Sequence, residues 1–384
     1  MPAALRSRFA LPTLFSVLAL ACGSTPQEPA TPGAAGSAGS SVGGNSGGGT
    51  SSVAGSTSAT GGAGAAATAG AAGSTVVGGA AGSAGSNATA GAAGASAGIT
   101  CAPSADGNGT HEQPGPYGAP PEATVKAGVP AGMLSPLTPF QSTIYNHTFG
   151  YRVYVPAQYK AGQRAAFMLV EDGPSHYLGG QNTEAKFFAD KVLDNLIAEG
   201  TIPVTIGLFV DPCMQKCEPE RVAMYDDVTD KYARFVTEEL LPGVIKDKYS
   251  IVQDPEAWLA VGFSAGAEQS FTIMWHKQGL FRKFIGHNTS FPAAKANGAD
   301  YALLVPPGPD MKLRVTLTSG TNDLSDQRGK WIESNTEMAK VFTDKGYAVR
   351  FMSGTGGHFP PDQSSMDFPN GLRWMWQGCK LSDY

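Results

Sequence analysis

Residues 257–270 read AWLAVGFSAGAEQS, and inside that stretch GFSAG is a G-x-S-x-G pattern centred on Ser264. The same pattern occurs around Ser41, Ser46 and Ser96, but those copies lie in a tract of glycine, alanine and serine where chance produces them. Only Ser264 has the neighbours that matter. Trp258 to Val261 is apolar enough for a buried strand, and the following AGAEQSFTIMWHK reads as a helix. A sharp strand-to-helix turn needs small residues where the two elements nearly touch, which gives Gly262 and Gly266 a mechanical purpose. The helix start also offers the free N–H of Ala265 to a developing oxyanion. The competing reading is a glycine-rich turn with no chemistry.

Working outward, AAFMLVEDG, PVTIGLFVD, FRKFIGHNTS, LRVTLTSGTND and AVRFMSGTGGH each carry a short apolar run that stops at glycine, aspartate or serine. Near-continuous apolar runs suit strands covered on both faces. Upstream, Gln141 to Tyr159 alternates β-branched and aromatic residues and predicts a strand pair near one sheet edge. Helical patterns fall between the strands. They run from Thr183 to Ala198 with Asn182 as N-cap, from Thr229 to Leu240 halted by Pro242, and from Ala265 to Lys277; two more run from Asp326 to Lys345 and from Pro369 to Gln377. This alternation predicts an α/β chain with a mainly parallel central sheet and helices on both faces. Its functional groups should gather at the carboxyl ends of the strands.

A serine hydroxyl needs a base, and the chain has six histidines. His111 and His147 precede the core strands, His276 ends the helix after Ser264, and His287 lies within a strand run. His176, in EDGPSHYLGG, is at best a cleft-lining residue. His358 alone follows the last strand, in GTGGHFPP, at the sheet end where Ser264 should emerge. Asp323 directly follows a strand in TSGTNDLSDQ and is the preferred acid; Asp326 is the alternative, with helix capping as its bland reading. The order Ser, Asp, His is that of α/β-hydrolases. A second oxyanion donor should come from the loop around Asp172 and Gly173, with Gly173 taken as the donor, although Asp172 could equally serve the turn itself.

The N-terminus places Arg6 and Arg8 before an apolar run from Phe9 to Leu20, the layout of a signal peptide over residues 1–21. Two cleavage readings compete at Cys22: ordinary cleavage after Ala19-Leu20-Ala21, or lipidation of Cys22 as a surface anchor. From Gly23 to Ile99 the sequence is dominated by Gly, Ala, Ser and Thr, with Glu28 as its one charged side chain, and cannot bury enough apolar surface to fold. Random-chain scaling gives this tether, residues 22–100, a span of about 50 Å. The expected location is secreted or a bacterial outer-membrane or cell-surface lipoprotein, with the membrane reached only through the N-terminal anchor.

Residues 101–384 are long enough for one packed domain. Net charge is -5, without a basic stripe, which argues against nucleic acid as a partner. Setting Cys22 aside leaves Cys101, Cys213, Cys217 and Cys379, an even number for an oxidising compartment. The pairs expected are Cys213 with Cys217 and Cys101 with Cys379. No metal site is read from the C-x-x-x-C spacing, because no histidine or second such pair accompanies it.

Taken in order, STIYNHTFGYRVYVP, VEDG, GFSAG, SGTND and GGHF resemble the esterase family of α/β-hydrolases that includes enterochelin esterase, feruloyl and acetyl xylan esterases and the mycolyltransferases. The resemblance spans roughly Gln141 to Gly378. It implies an α/β-hydrolase fold with Ser264 as nucleophile, Asp323 as acid and His358 as base. The chain departs from the family pattern at Met224, where Arg221 and Tyr225 often flank a glutamate, and at Phe359 and Pro360, where Asp-Trp is common. The function expected is a serine esterase acting through an acyl-enzyme on a small-molecule or polysaccharide-linked ester, without cofactor. An acyltransferase of the same fold and a catalytically silent surface-binding domain are the alternatives.

Overall fold

The computed structural model describes residues 98–178, 187–214, 217, 220–306 and 312–381. The expected signal segment, Cys22, nearly all of the expected tether and the expected N-cap Asn182 lie outside the described residues. Strands in chain order are β1 (Ile99–Cys101), β2 (Gly109–Gln113), β3 (Met133–Leu134), β4 (Thr138–Ser142), β5 (His147–Val155), β6 (Ala166–Glu171), β7 (Thr205–Asp211), β8 (Trp258–Phe263), β9 (Lys283–His287), β10 (Arg314–Asn322), β11 (Ser325–Asp326), β12 (Gly329–Lys330), β13 (Ala348–Gly357) and β14 (Cys379–Leu381). The α-helices are α1 (Ala189–Ala198), α2 (Glu220–Tyr225), α3 (Lys231–Arg234), α4 (Ala265–His276), α5 (Phe291–Ala296), α6 (Tyr301–Leu304), α7 (Trp331–Asp344) and α8 (Asp362–Trp376).

The central sheet runs β2-β13-β10-β9-β8-β6-β7-β5-β3, with β4 also beside β5. Pairing is parallel from β2 through to β7, and antiparallel only where β5 meets β7, β3 and β4. Every residue of β6, β8 and β9 is buried, which requires cover on both faces and explains the unbroken apolar runs. The α/β-hydrolase architecture expected from sequence is therefore the one observed.

Helix limits differ from expectation where local chemistry intervenes. Asp326 does not start a helix: its carboxylate accepts the Arg328 N–H and pairs with the Arg328 guanidinium across the β11–β12 turn, and α7 begins only at Trp331. Pro242 does not halt the segment after α3, which continues in wider π-helical turns to Lys246. Likewise α8 starts at Asp362 and carries Pro369 inside, anchored by the buried Phe368, Leu372, Met375 and Trp376. The described part of α1 begins at Ala189, after Phe188 in a left-handed conformation, and Gly200 lies just past its end.

Both expected disulfides are present, Cys101–Cys379 and Cys213–Cys217. The first joins β1 to β14 at directly opposed positions, so the two ends of the folded part are tied together by a ladder and a covalent bond.

Candidate active site

Ser264 occupies the turn between β8 and α4 with φ 55° and ψ -123°, a strained conformation for a residue with a side chain. Backbone bonds hold it there. Its N–H donates to His287 O at 2.8 Å, and its carbonyl accepts from the N–H groups of Ala267, Glu268 and Ser290. The turn closes so tightly that a Cβ on Gly262 would meet Gly266 O at 2.3 Å, and one on Gly266 would meet Asp172 Oδ2 at 3.1 Å. Close approach thus fixes Gly262 outright and leaves little room at Gly266. The second distance also places the loop after β6 against the start of α4.

The candidate base and acid reach the same point from neighbouring strands. His358 leaves the end of β13, and Ser264 Oγ lies 2.8 Å from its Nε2. Its Nδ1 lies 2.6 Å from Asp323 Oδ1, just beyond β10. Since a carboxylate only accepts, Nδ1 carries the ring proton and Nε2 is left to accept from the serine hydroxyl. The His358 side chain is 5% exposed and that of Asp323 is 0% exposed. The Asp323 carboxylate also accepts from Asn288 Nδ2 and Ser319 Oγ, each at 2.6 Å, and from the Leu324 N–H at 2.8 Å. Rings of Phe263, Trp331 and Phe359 pack around His358.

Asp326, the alternative acid, is committed to Arg328 instead. Ala265 is the first residue of α4, so its N–H has no acceptor within the helix. Gly173 opens the π-helical turn Gly173–Tyr177 after β6 and packs against Phe209 of β7. The preceding Asp172, with φ 54°, pairs with Arg221 of α2, and its N–H donates to Tyr225 Oη at 3.1 Å. Arg221 and Tyr225, the two residues of the family pattern that the chain keeps, therefore lock the loop that carries Gly173. Beneath it, burial raises the Glu171 pKa to about 8, opposed by the hydroxyls of Tyr232 at 2.7 Å and Tyr225 at 3.2 Å and reinforced by Asp172.

The other histidines have separate engagements. His111, His147 and His276 bond to the carbonyls of Gly107, Pro212 and Val228. His287 is buried against Tyr177 Oη, and burial pulls its pKa down to about 3. His176 stands beside Phe263 and Phe359. Sequence reasoning missed Asn288, Ser290, Ser319 and Trp331; the HNTS run at the end of β9 was the one visible signal for the first two. Among the described residues no group of three or more His, Cys, Asp or Glu is placed to hold a metal ion.

Fold and geometry together define an α/β-hydrolase of the esterase kind. A family model described as "Putative esterase" matches residues 142–362, and the chain belongs to that family, which supports an ester-cleaving function in general. Among solved structures, a ferulic acid esterase is similar at 15% identity over 64% of this chain and 99% of its own, with a TM-score of 0.50. The enterobactin esterase of Shigella flexneri, solved with 2,3-dihydroxy-N-benzoyl-serine, is similar at 14% identity over 66% of this chain and 60% of its own, with a TM-score of 0.51. The ferric enterobactin esterase of Salmonella typhimurium matches at 13% identity over 67% of this chain and 61% of its own, also with a TM-score of 0.51. At these identities the likeness is one of fold. The chain spans about three fifths of the length of these two enterobactin esterases. No curated protein matches the sequence.

Proposed function

We propose that the protein is a serine esterase that cleaves a carboxylic ester, small or polysaccharide-linked, through an acyl-enzyme. The observation that carries this reading is the bridging position of His358, with Ser264 Oγ 2.8 Å from Nε2 and Asp323 Oδ1 2.6 Å from Nδ1. Ser264 Oγ attacks the acyl carbon and passes its proton to His358 Nε2. The oxyanion that forms receives the N–H groups of Ala265 and Gly173. His358 then protonates the departing alcohol oxygen as the carbon–oxygen bond breaks. Water enters, gives a proton to His358, attacks the acyl carbon and releases the acid and free Ser264. Asp323 holds the imidazole in the required tautomer and stabilises its cation. The similar ferulic acid and enterobactin esterases act, by their names, on esters, and the 51% exposed Phe359 gives this cleft an apolar rim.

A fluorophosphonate probe reacts only with an activated serine. Wild-type protein should be labelled at Ser264 alone, and Ser264→Ala should take no label; labelling elsewhere, or none on folded wild type, overturns the reading. The same proposal places the enzyme on the cell surface, tethered by residues 22–100 from a lipidated Cys22.

A further inference from the structure

His176 is a titratable group beside the proposed catalytic residues that the mechanism above does not use. It follows Gly173 by three residues on the same helical turn. Its ring centroid lies 5.5 Å from Phe263 and 6.1 Å from Phe359. Those two rings lie in turn 4.9 Å and 5.0 Å from His358. The two histidines therefore share one aromatic wall. Phe359 is exposed and His176 half-buried, whereas Phe263 belongs to the core, so the wall runs from the core out to solvent.

The protonation state of His176 follows from its neighbours. The Ser175 hydroxyl lies 3.1 Å from Asp172 O and 3.0 Å from His176 Nδ1. A serine has one proton, and near pH 7 it goes to an acceptor that cannot reciprocate: the Asp172 carbonyl or, in competition, the carboxylate of Asp211, whose pKa of about 6 leaves it ionised there. Ser175 Oγ is left to accept from His176 Nδ1–H. Burial of the ring lowers its pKa, outweighing the nearby Asp172, so the imidazole is neutral near pH 7. Neutral imidazole with Nδ1–H has a lone pair on Nε2. No described residue donates to it.

We propose that His176 Nε2 is a specificity-determining acceptor for a hydroxyl group on the alcohol half of the ester. The alcohol half is the one that leaves beside His358, and on this proposal His176 stands along that exit, because both histidines contact the same two rings. A substrate hydroxyl close to the scissile oxygen meets a fixed, unprotonated acceptor there, whereas a purely alkyl alcohol leaves the lone pair to water. The class of substrate that follows is the monoester of a polyol or sugar, rather than that of a simple alcohol. This rests on the serine-esterase reading and deepens it.

The test compares the 2-hydroxyethyl and ethyl esters of one acid, chosen as the acid whose aryl ester the full-length protein turns over fastest. A single neutral hydrogen bond predicts that wild type favours the hydroxyethyl ester by about three- to ten-fold in kcat/KM, carried by KM. His176→Phe keeps an aromatic ring and removes the acceptor, and should bring the ratio to about one. His176→Gln keeps an acceptor and should retain part of the preference, which covers the case in which the phenylalanine variant fails to fold. Equal rates for both esters in wild type, or a preference that survives in folded His176→Phe, overturns the proposal. Fluorophosphonate labelling of Ser264 is independent of His176 and reports separately on the parent reading; if no ester is turned over, both fall.

Discussion

At the scale of single residues, the proposed relay makes a prediction about non-additivity. On the proposed mechanism Ser264 passes its proton to His358, whose tautomer and cation Asp323 holds, so the three act as one unit and removing any member disables the others. Ser264→Ala and His358→Ala should each lower kcat by about 10⁴-fold or more, and the double variant should be scarcely worse. Asp323→Asn should cost about 10³- to 10⁴-fold, because an amide that donates to Nδ1 imposes the wrong tautomer. Asp326→Asn should stay near wild type, since Asp326 is engaged with Arg328 on a separate turn. Steady-state kinetics with thermal melts as folding controls check all four; a crippled Asp326→Asn would reverse the acid assignment. The nucleophile, base and acid candidates were legible because each stands directly after a strand in a parallel sheet. Their supports were not. Ser319 lies inside the β10 run, Asn288 just past the end of β9, and nothing in their own neighbourhoods shows that both reach Asp323.

At the scale of elements, strands were readable and ends of helices were not. Burial on both faces writes itself into β6 and β8 as unbroken apolar runs. The edge strand β2, GTHEQ, is largely exposed and has no apolar face to betray it. Helix ends depend on side-chain choices that spacing does not encode, as with the Asp326–Arg328 pair that delays α7. The unit formed by the end of β6 with α2 and α3 makes its own prediction. Glu171 is buried there between Tyr225 and Tyr232, with its pKa raised from 4.5 to about 8. Between those values the folded chain keeps a proton that the unfolded chain has released. This contribution is therefore complete below about pH 4.5 and is lost as the pH rises through about 8, with a limiting slope of about 1.4 kcal/mol per pH unit. Glu171→Gln still accepts from both tyrosine hydroxyls and cannot ionise. Its melting temperature should fall less than that of wild type between pH 5 and pH 9. Parallel slopes for the two proteins would show that Glu171 does not titrate in this window.

At the scale of the whole molecule, the question is how the catalytic part is closed and where it is held. The β1–β14 ladder carries Cys101–Cys379 at a sequence separation of 278, so reducing that bond frees a very long loop. Cys379→Ser should cost roughly 2 to 4 kcal/mol of stability in urea unfolding while leaving turnover of the folded enzyme intact, because Cys101 Sγ lies 3.8 Å from Lys283 Nζ at the start of β9, whereas Ser264 and His358 follow the carboxyl ends of β8 and β13. The tether makes the complementary prediction. Residues 23–96 contain no aromatic side chain and one charge, Glu28, so they offer neither a core nor a set of catalytic groups. A chain shortened to begin at Gly98 keeps the whole of β1 and its pairing with β14, and should turn over a soluble ester at the wild-type rate. Loss of turnover in a folded shortened chain would give the tether a catalytic role. Location is separable from catalysis by one atom: Cys22→Ser removes the thiol that a lipid would occupy and leaves the sequence otherwise unchanged. On the anchored reading, wild type sediments with membranes and Cys22→Ser is released in soluble form with the same kcat/KM. Equal release of both proteins means that the signal is cleaved in the ordinary way and the enzyme is secreted free.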